Sequence, residues 1–341
     1  MATGLVYDPR FLQHDRPGHV ECRERLEATM EVLGRCGLVE LLDDVPAIPI
    51  PLEYLKAVHH EHYIQRVEEI AEKGGGNLDP DTYLNSHSYE VALLAAGGLV
   101  NLVDAVFEGR LDRGFALVRP PGHHALPGRG MGFCLFNNVA VAARYILDQT
   151  GLSRVLIADF DLHHGNGTQE IFYATDQVLY FSTHQYPYYP GTGHWSEIGE
   201  GKGEGFSVNV PLPAGVGDHG YGRVFDEILY PVAERYQPEF VLVSAGYDAH
   251  WADPLGMMSL STTGFGYLTS VLKELADELC EGRLVFTLEG GYDLQALSNS
   301  VAATLQTLLG TKAEDPLGPS TRGESPVDDI IVHVKGVHRL V

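Results

Sequence analysis

Basic residues are scarce in this sequence. Its 341 residues hold 23 Lys plus Arg against 46 Asp plus Glu, a formal net charge of −23. Phosphate neutralisation needs a basic surface, so recruitment of nucleic acid by bulk charge is excluded. An anionic membrane surface is a poor partner on the same ground. There is no run of about 18 apolar residues, so no membrane span is expected. The segment Met1–Arg10 lacks a basic region followed by an apolar core, so no secretory signal is expected. Cysteine is rare as well. Cys22, Cys36, Cys134 and Cys280 stand apart with no C-x-x-C pair. That argues against a disulfide framework and against a thiolate zinc site. A cytoplasmic location is the expectation that follows. The 39 glycines do not recur with a fixed period, which excludes a solenoid.

What remains is a globular composition, with 44% hydrophobic and 20% charged residues. Short apolar runs predict strands at Gly4–Tyr7, Phe115–Val118, Val155–Ala158, Val178–Ser182, Ser207–Val210, Phe240–Ser244 and Leu284–Leu288. Most are apolar on both faces, as in strands covered by two helix layers. Helical patterns fall at Glu21–Leu33, Glu61–Glu72, Ser88–Phe107, Asn137–Asp148, Tyr221–Tyr236, Thr263–Leu279 and Leu294–Leu309. The alternation predicts an α/β fold with a mostly parallel central sheet and helices on both faces. The division expected is one domain over 1–310, then a surface connection and docking helix over 311–341. Thr311–Glu324 reads as the connection, Ser325 as an N-cap and Pro326 as the first helical residue.

In such sheets ligands bind beyond the carboxyl ends of the strands. Val155–Ala158 leads into Asp159, Asp161, His163, His164 and Asn166. Alternation along a continuing strand would put Asp159, Asp161 and His163 on one side. Carboxylates and imidazoles together are ligands for zinc and similar divalent ions. Phe240–Ser244 leads into Asp248, which would complete an open three-ligand site. Phe115–Val118 leads through Arg119-Pro-Pro-Gly to His123 and His124, a pair suited to proton transfer. Leu284–Leu288 leads through Glu289-Gly-Gly to Tyr292, whose phenol can donate to a developing oxyanion. Each residue alone has an ordinary reading as a turn, cap or surface group. Four strands delivering complementary groups to one edge favour a metal hydrolase.

The segments RPPGHHA (119–125), GFCLFNN (132–138), DFDLHHGNGTQ (159–169), PGTG (190–193), SAGYDAHWADPLG (244–256) and LEGGY (288–292) resemble the zinc-dependent histone deacetylase superfamily. That group includes histone deacetylase-like amidohydrolases and acetylpolyamine amidohydrolases. Weaker matches are GLVYD (4–8), VHHEHYI (58–64) and LDPDTY (78–83). The resemblance runs over roughly residues 3 to 310 and implies the single-domain arginase–deacetylase fold. It implies Asp161, His163 and Asp248 as zinc ligands, His124 as general base and His123 as an electrostatic partner. Asp159 would hold His123, and Asn166 would hold His124, a class II-like choice. Tyr292 would polarise the acyl carbonyl. Phe133 and Tyr189 would flank a lysine tunnel, with the carbonyl of Gly132 accepting the substrate amide. A structural potassium ion is implied at Ser182 and Thr183, with backbone oxygens of Asp159, Asp161 and His163. One departure is His19-Val-Glu-Cys-Arg-Glu-Arg-Leu26, where two family prolines are replaced. Tyr189 stands where Phe is frequent.

The expected reaction is removal of acetyl or short acyl groups from acyl-lysine in proteins. Acetylated polyamine is the alternative substrate. A weak acyl-lysine-binding module and an arginase-like ureohydrolase are the other readings. A homo-oligomer is compatible with the sequence. Three further features are expected to be structural. They are the histidines His59, His60 and His62, the glycine-rich Gly201–Gly205 as a flexible loop, and Cys134 as a buried thiol.

Overall fold

The computed structural model describes residues 2–340, leaving Met1 and Val341 outside the described residues. Eight strands form one sheet: β1 (Thr3–Val6), β2 (Asp43–Asp44), β5 (Arg113–Ala116), β6 (Val155–Asp159), β7 (Val178–Gln185), β8 (Ser207–Leu212), β9 (Phe240–Ala245) and β10 (Leu284–Leu288). Their order is β2-β1-β5-β10-β9-β6-β7-β8, and every neighbouring pair is parallel. A separate antiparallel pair joins β3 (Gly75–Asn77) and β4 (Tyr83–Asn85). All seven expected strands are present. The exposed Asp43–Asp44 pair and the glycine-led β3 carry no apolar run, so they left no signal to read.

The helices are α1 (Glu24–Arg35), α2 (Leu52–Lys56), α3 (Glu61–Glu72), α4 (Ser88–Phe107), α5 (Asn138–Gln149), α6 (Asn166–Phe172), α7 (Asp218–Val224), α8 (Tyr230–Tyr236), α9 (Thr262–Leu279), α10 (Leu294–Leu308) and α11 (Asp328–His338). α4 and α5 pack together on the sheet, while α1, α10 and α9 form a second layer. Long enough and apolar enough to cross a bilayer on composition alone, α4 is instead a core helix, 72% buried against this protein. The predicted helix Tyr221–Tyr236 starts earlier, at Asp218, and carries a π-helical segment at Phe225–Leu229.

The C-terminal helix begins later than expected. Val327, not Ser325, is its N-cap residue. Ser325 is used elsewhere, donating its hydroxyl to the carbonyl of Ala214 at 2.7 Å. Gly201–Gly205 lies in the connection between β7 and β8. It contains a short 3-10 turn at Gly201–Gly203, and a Cβ on Gly203 would lie 2.2 Å from the carbonyl oxygen of Tyr173.

One consequence of strand order positions the site. β5, β10, β9 and β6 are consecutive in the sheet. Neighbouring strands lie about 4.8 Å apart. The segments after these four strands are therefore brought within reach of one another, although they are scattered along the chain.

Candidate active site

β6 ends at Asp159, and the chain then turns instead of continuing as a strand. Asp161 and His163 reach the same place through that turn. Asp161 Oδ1 accepts from the backbone N–H of His163 at 2.8 Å, and its Oδ2 accepts from Gly290 N at 2.8 Å. Asp248, after β9, accepts from Leu162 N at 2.8 Å through Oδ1. Nδ1 of His163 lies 3.2 Å from Asp161 Oδ1 and 3.0 Å from Asp248 Oδ2. The ligand atoms of Asp161, His163 and Asp248 all fall within 4.8 Å of one another.

Two buried carboxylates this close repel unless a cation sits between them. Burial raises the pKa of Asp248, and the charge of Asp161 adds to the rise. Burial works against charging His163, but Asp161 and Asp248 outweigh it and raise the imidazole to about 9. The donor set of two carboxylates and one imidazole fits zinc with open positions left for water and substrate.

The tandem histidines follow β5 and have different partners. His123 Nδ1 lies 3.1 Å from Asp159 Oδ2. His124 Nδ1 lies 2.8 Å from Asn166 Oδ1. Burial opposes charge on His123, but Asp161 and Asp159 overcome it and raise its pKa to about 10. Burial, followed by the charges of His123 and His163, drives His124 well below its ordinary value. One ring is held as imidazolium and its neighbour is held neutral. The Asp159 carboxylate also accepts from Tyr180 OH at 3.0 Å and Asp161 N at 3.2 Å.

Glu289, after β10, faces inward. Its Oε2 accepts from the backbone N–H groups of Gly122 and His123 at 2.6 and 3.1 Å. Burial pushes its pKa to about 7. The following glycines are sterically required. A Cβ on Gly290 would lie 2.4 Å from Asp248 Oδ2 and 2.6 Å from Asp161 Oδ2, and Gly291 has φ +116°. Arg25 fixes this turn from below. It donates Nε–H to the carbonyl of Gly291 at 2.7 Å and Nη2–H to that of Glu289 at 2.5 Å. Its guanidinium lies 5.0 Å from the ring centroid of Tyr292. Glu21 accepts from Arg25 and from Arg119, a fully buried ionic network. The segment that replaces the family prolines thus supplies Glu21 and Arg25.

A cavity of about 430 Å³ opens over these groups, lined in part by His124, Gly132, Phe133, His163, Tyr189 and Tyr292. Phe133 packs edge-on to Tyr292 at 5.7 Å, and Tyr189 edge-on to His124 at 5.2 Å. Burial keeps the Tyr292 phenol protonated. A Cβ on Gly132 would lie 2.3 Å from His124 Cδ2. The carbonyl of Gly132 accepts a weak bond from the Cys134 thiol at 3.3 Å. Burial raises that thiol well above its usual pKa, which fits an inert side chain. Ser182 sits opposite Asp159 in the β6–β7 register, and its hydroxyl meets His184 Nδ1 at 2.9 Å. Thr183 Oγ1 is buried without a hydrogen-bond partner.

Sequence reasoning missed four contributors. Tyr188 stacks on His163 at 5.7 Å and lines the cavity. Asp253 accepts from Tyr292 N at 2.6 Å, orienting the tyrosine's backbone. Leu255 and Asp79 add to the wall. Tyr188 neighbours Tyr189, Asp253 and Leu255 fall within the segment 244–256, and Asp79 within 78–83, but the sequence reading gives none of them a role. His59, His60 and His62 stay apart from this site. His59 is buried, and its Nε2 accepts from Asn137 N at 2.9 Å.

The chain matches the histone deacetylase domain over residues 19–308. A probable deacetylase of Archaeoglobus fulgidus is 45% identical over 86% of this chain and 82% of its own length. The histone deacetylase-like amidohydrolase of Pseudomonas aeruginosa is 39% identical over 88% and 80%. The solved HDA15 HD domain superposes with a TM-score of 0.91 at 38% identity, covering 99% of this chain and 94% of that one. This chain belongs to the histone deacetylase family of hydrolases.

Proposed function

We propose that the chain is a zinc-dependent amidohydrolase that removes acetyl or short acyl groups from acyl-lysine side chains. The observation that carries this reading is the unequal pair His123 and His124 beside the buried Asp161–His163–Asp248 cluster. The chemistry supplied there by bound zinc is Lewis acidity toward the acyl carbonyl and the attacking water. Neutral His124 is the base that takes the water proton. Imidazolium at His123, held by Asp159, stabilises negative charge developing beside it. Tyr292, kept protonated by burial, donates its hydroxyl to the oxyanion. The amine leaves with a proton returned from the histidine pair. Phe133 and Tyr189 wall the lysine stem, and Gly132 offers its carbonyl to the substrate amide. Potassium, held by Ser182, Thr183 and backbone oxygens of Asp159, Asp161 and His163, is part of the same proposal. The unpartnered Thr183 hydroxyl supports it.

The catalytic unit is assigned to residues 1–310, with 311–341 as its docked extension. The four unpaired cysteines favour a reducing, cytoplasmic setting. Tyr292 at the cavity argues against a pure binding module. Among the described residues a single three-ligand cluster is present, unlike a two-metal ureohydrolase. A panel of acetyl-lysine peptides, acetylated polyamines and longer acyl-lysines, with a hydroxamate control, tests the substrate assignment. Acetyl-lysine turnover is expected to dominate. Strong preference for acetylpolyamine would replace the first reading by the second.

A further inference from the structure

Residues beyond 308 lie outside the matched domain, yet they reach the walls of the catalytic cavity. The chain has two tryptophans, Trp195 and Trp251, and this segment contacts both. Trp195 stacks on His333 of α11, with 5.2 Å between ring centroids and 26° between planes. Trp251 donates its indole N–H to the carbonyl of Gly318 at 2.9 Å. That carbonyl is set by a turn in which Asp315 Oδ1 accepts from Leu317 N and Gly318 N at 3.0 and 2.8 Å.

Each tryptophan sits on a loop that walls the site. Trp195 belongs to the loop carrying Tyr188 and Tyr189, and Trp251 lies between Asp248 and Leu255. The two loops join where Tyr188 donates its hydroxyl to the carbonyl of Leu255 at 2.8 Å. A second route starts at Ser325, whose backbone N–H donates to Gly215 O at 3.1 Å. Gly215 N in turn donates to Met257 O at 2.7 Å, in the loop of Leu255. No residue of the C-terminal segment lines the cavity itself. α11 is anchored on its buried Ile331 and Val334. His333 lies on the exposed side, so its ring can be removed without removing the anchor.

We propose that the segment Thr311–His338 is a brace for the cavity walls, with Trp195 and Trp251 as positioning residues for the acyl-lysine stem. The claim rests on the hydrolase reading above for its kinetic readout, and on the fold alone for its exchange readout. Trp251→Phe keeps the ring and deletes the N–H. His333→Ala deletes the stack, and His333→Phe restores an aromatic face.

Hydrogen–deuterium exchange, measured without substrate, should quicken across 186–197 and 250–258 in Trp251→Phe and His333→Ala. KM for an acetyl-lysine peptide should rise about fivefold in each, the scale of one hydrogen bond or ring contact, with kcat within about twofold. The double variant should show less than the product of the two effects, because both act through the Tyr188–Leu255 junction. His333→Phe should return KM and exchange to the parent values. Unchanged exchange in both loops would overturn the brace, as would a KM effect that His333→Phe does not rescue. If the parent protein releases no acetate from any acyl substrate, the hydrolase reading fails. The brace is then judged by exchange alone, where unchanged rates sink it.

Discussion

Asp159 lies 3.1 Å from Nδ1 of His123, with both side chains buried, while the adjacent His124 has no carboxylate partner at that nitrogen. The carboxylates of Asp161 and Asp159 favour charge on His123, while burial and the charges of His123 and His163 disfavour it on His124. Replacing Asn166 by Asp should erase that difference. A carboxylate beside His124 favours its charged form and raises its pKa. A base is inactive when protonated, so the acidic limb of the pH–rate profile should move to higher pH. A profile unchanged from the parent would contradict the assignment of His124 as base.

The Asp161–His163–Asp248 cluster makes a second prediction. His163 is held protonated to about 9 by the two carboxylates, whereas a metal ligand must be neutral. Loading zinc into metal-free protein at neutral pH should therefore release about one proton per chain. Calorimetry in buffers of different ionisation enthalpy measures this directly. Zinc uptake with no proton release would contradict a protonated His163 in the metal-free cluster.

Gly290→Ala tests the packing around the same cluster. The added Cβ would lie 2.4 and 2.6 Å from the carboxylate oxygens of Asp248 and Asp161. Metal affinity and turnover should fall about 10–100-fold, the usual cost of disturbing groups that orient ligands. Gly34→Ala in α1 is the control, since nothing lies within 4 Å of its Cβ. It should gain about 0.5–1 kcal/mol of stability in urea titration and leave turnover unchanged.

Several buried histidines predict how stability depends on pH. Burial lowers His14 and His164 to about 3, and His59, His250 and His338 to about 4. In the unfolded chain each titrates near 6.5. Between those values the unfolded state binds protons that the fold does not, so stability falls as pH drops. Each fully titrating histidine contributes about 1.4 kcal/mol per pH unit. The raised pKa values of His123 and His163 act on the other side, where their contribution is lost only as pH rises above about 6.5 toward 9–10. The buried neutral histidines together make the fold lose stability as pH falls from about 6.5 toward 4, so acid unfolding should begin in that range. A native circular dichroism signal retained at pH 4 would contradict this.

The legible parts of the structure were those written in local pattern. Val155–Ala158 is apolar throughout and Leu284–Leu288 nearly so, because both faces are buried. The polar residues directly after such strands therefore stood out. What stayed hidden depends on contacts across the chain. Arg25 reaches Gly291 and Glu289 from a helix far away in sequence, a contact that the local pattern of His19–Leu26 does not show. Asp253 acts on Tyr292 only because β9 and β10 are neighbours. Ser325 has the residue type of an N-cap, but the N-cap position falls two residues later, at Val327, and the Ser325 hydroxyl donates to the carbonyl of Ala214. The strand order itself, which gathers β5, β10, β9 and β6, cannot be read from the order of motifs along the chain.

Acetate release from an acetyl-lysine peptide tests the central claim most directly, with the zinc-loaded parent protein compared with Asp161→Ala and His124→Ala. The account predicts turnover by the parent and a loss of at least about 10²–10⁴-fold in each variant, the range for removing a metal ligand or a general base. Undiminished release by either purified, folded variant would contradict it.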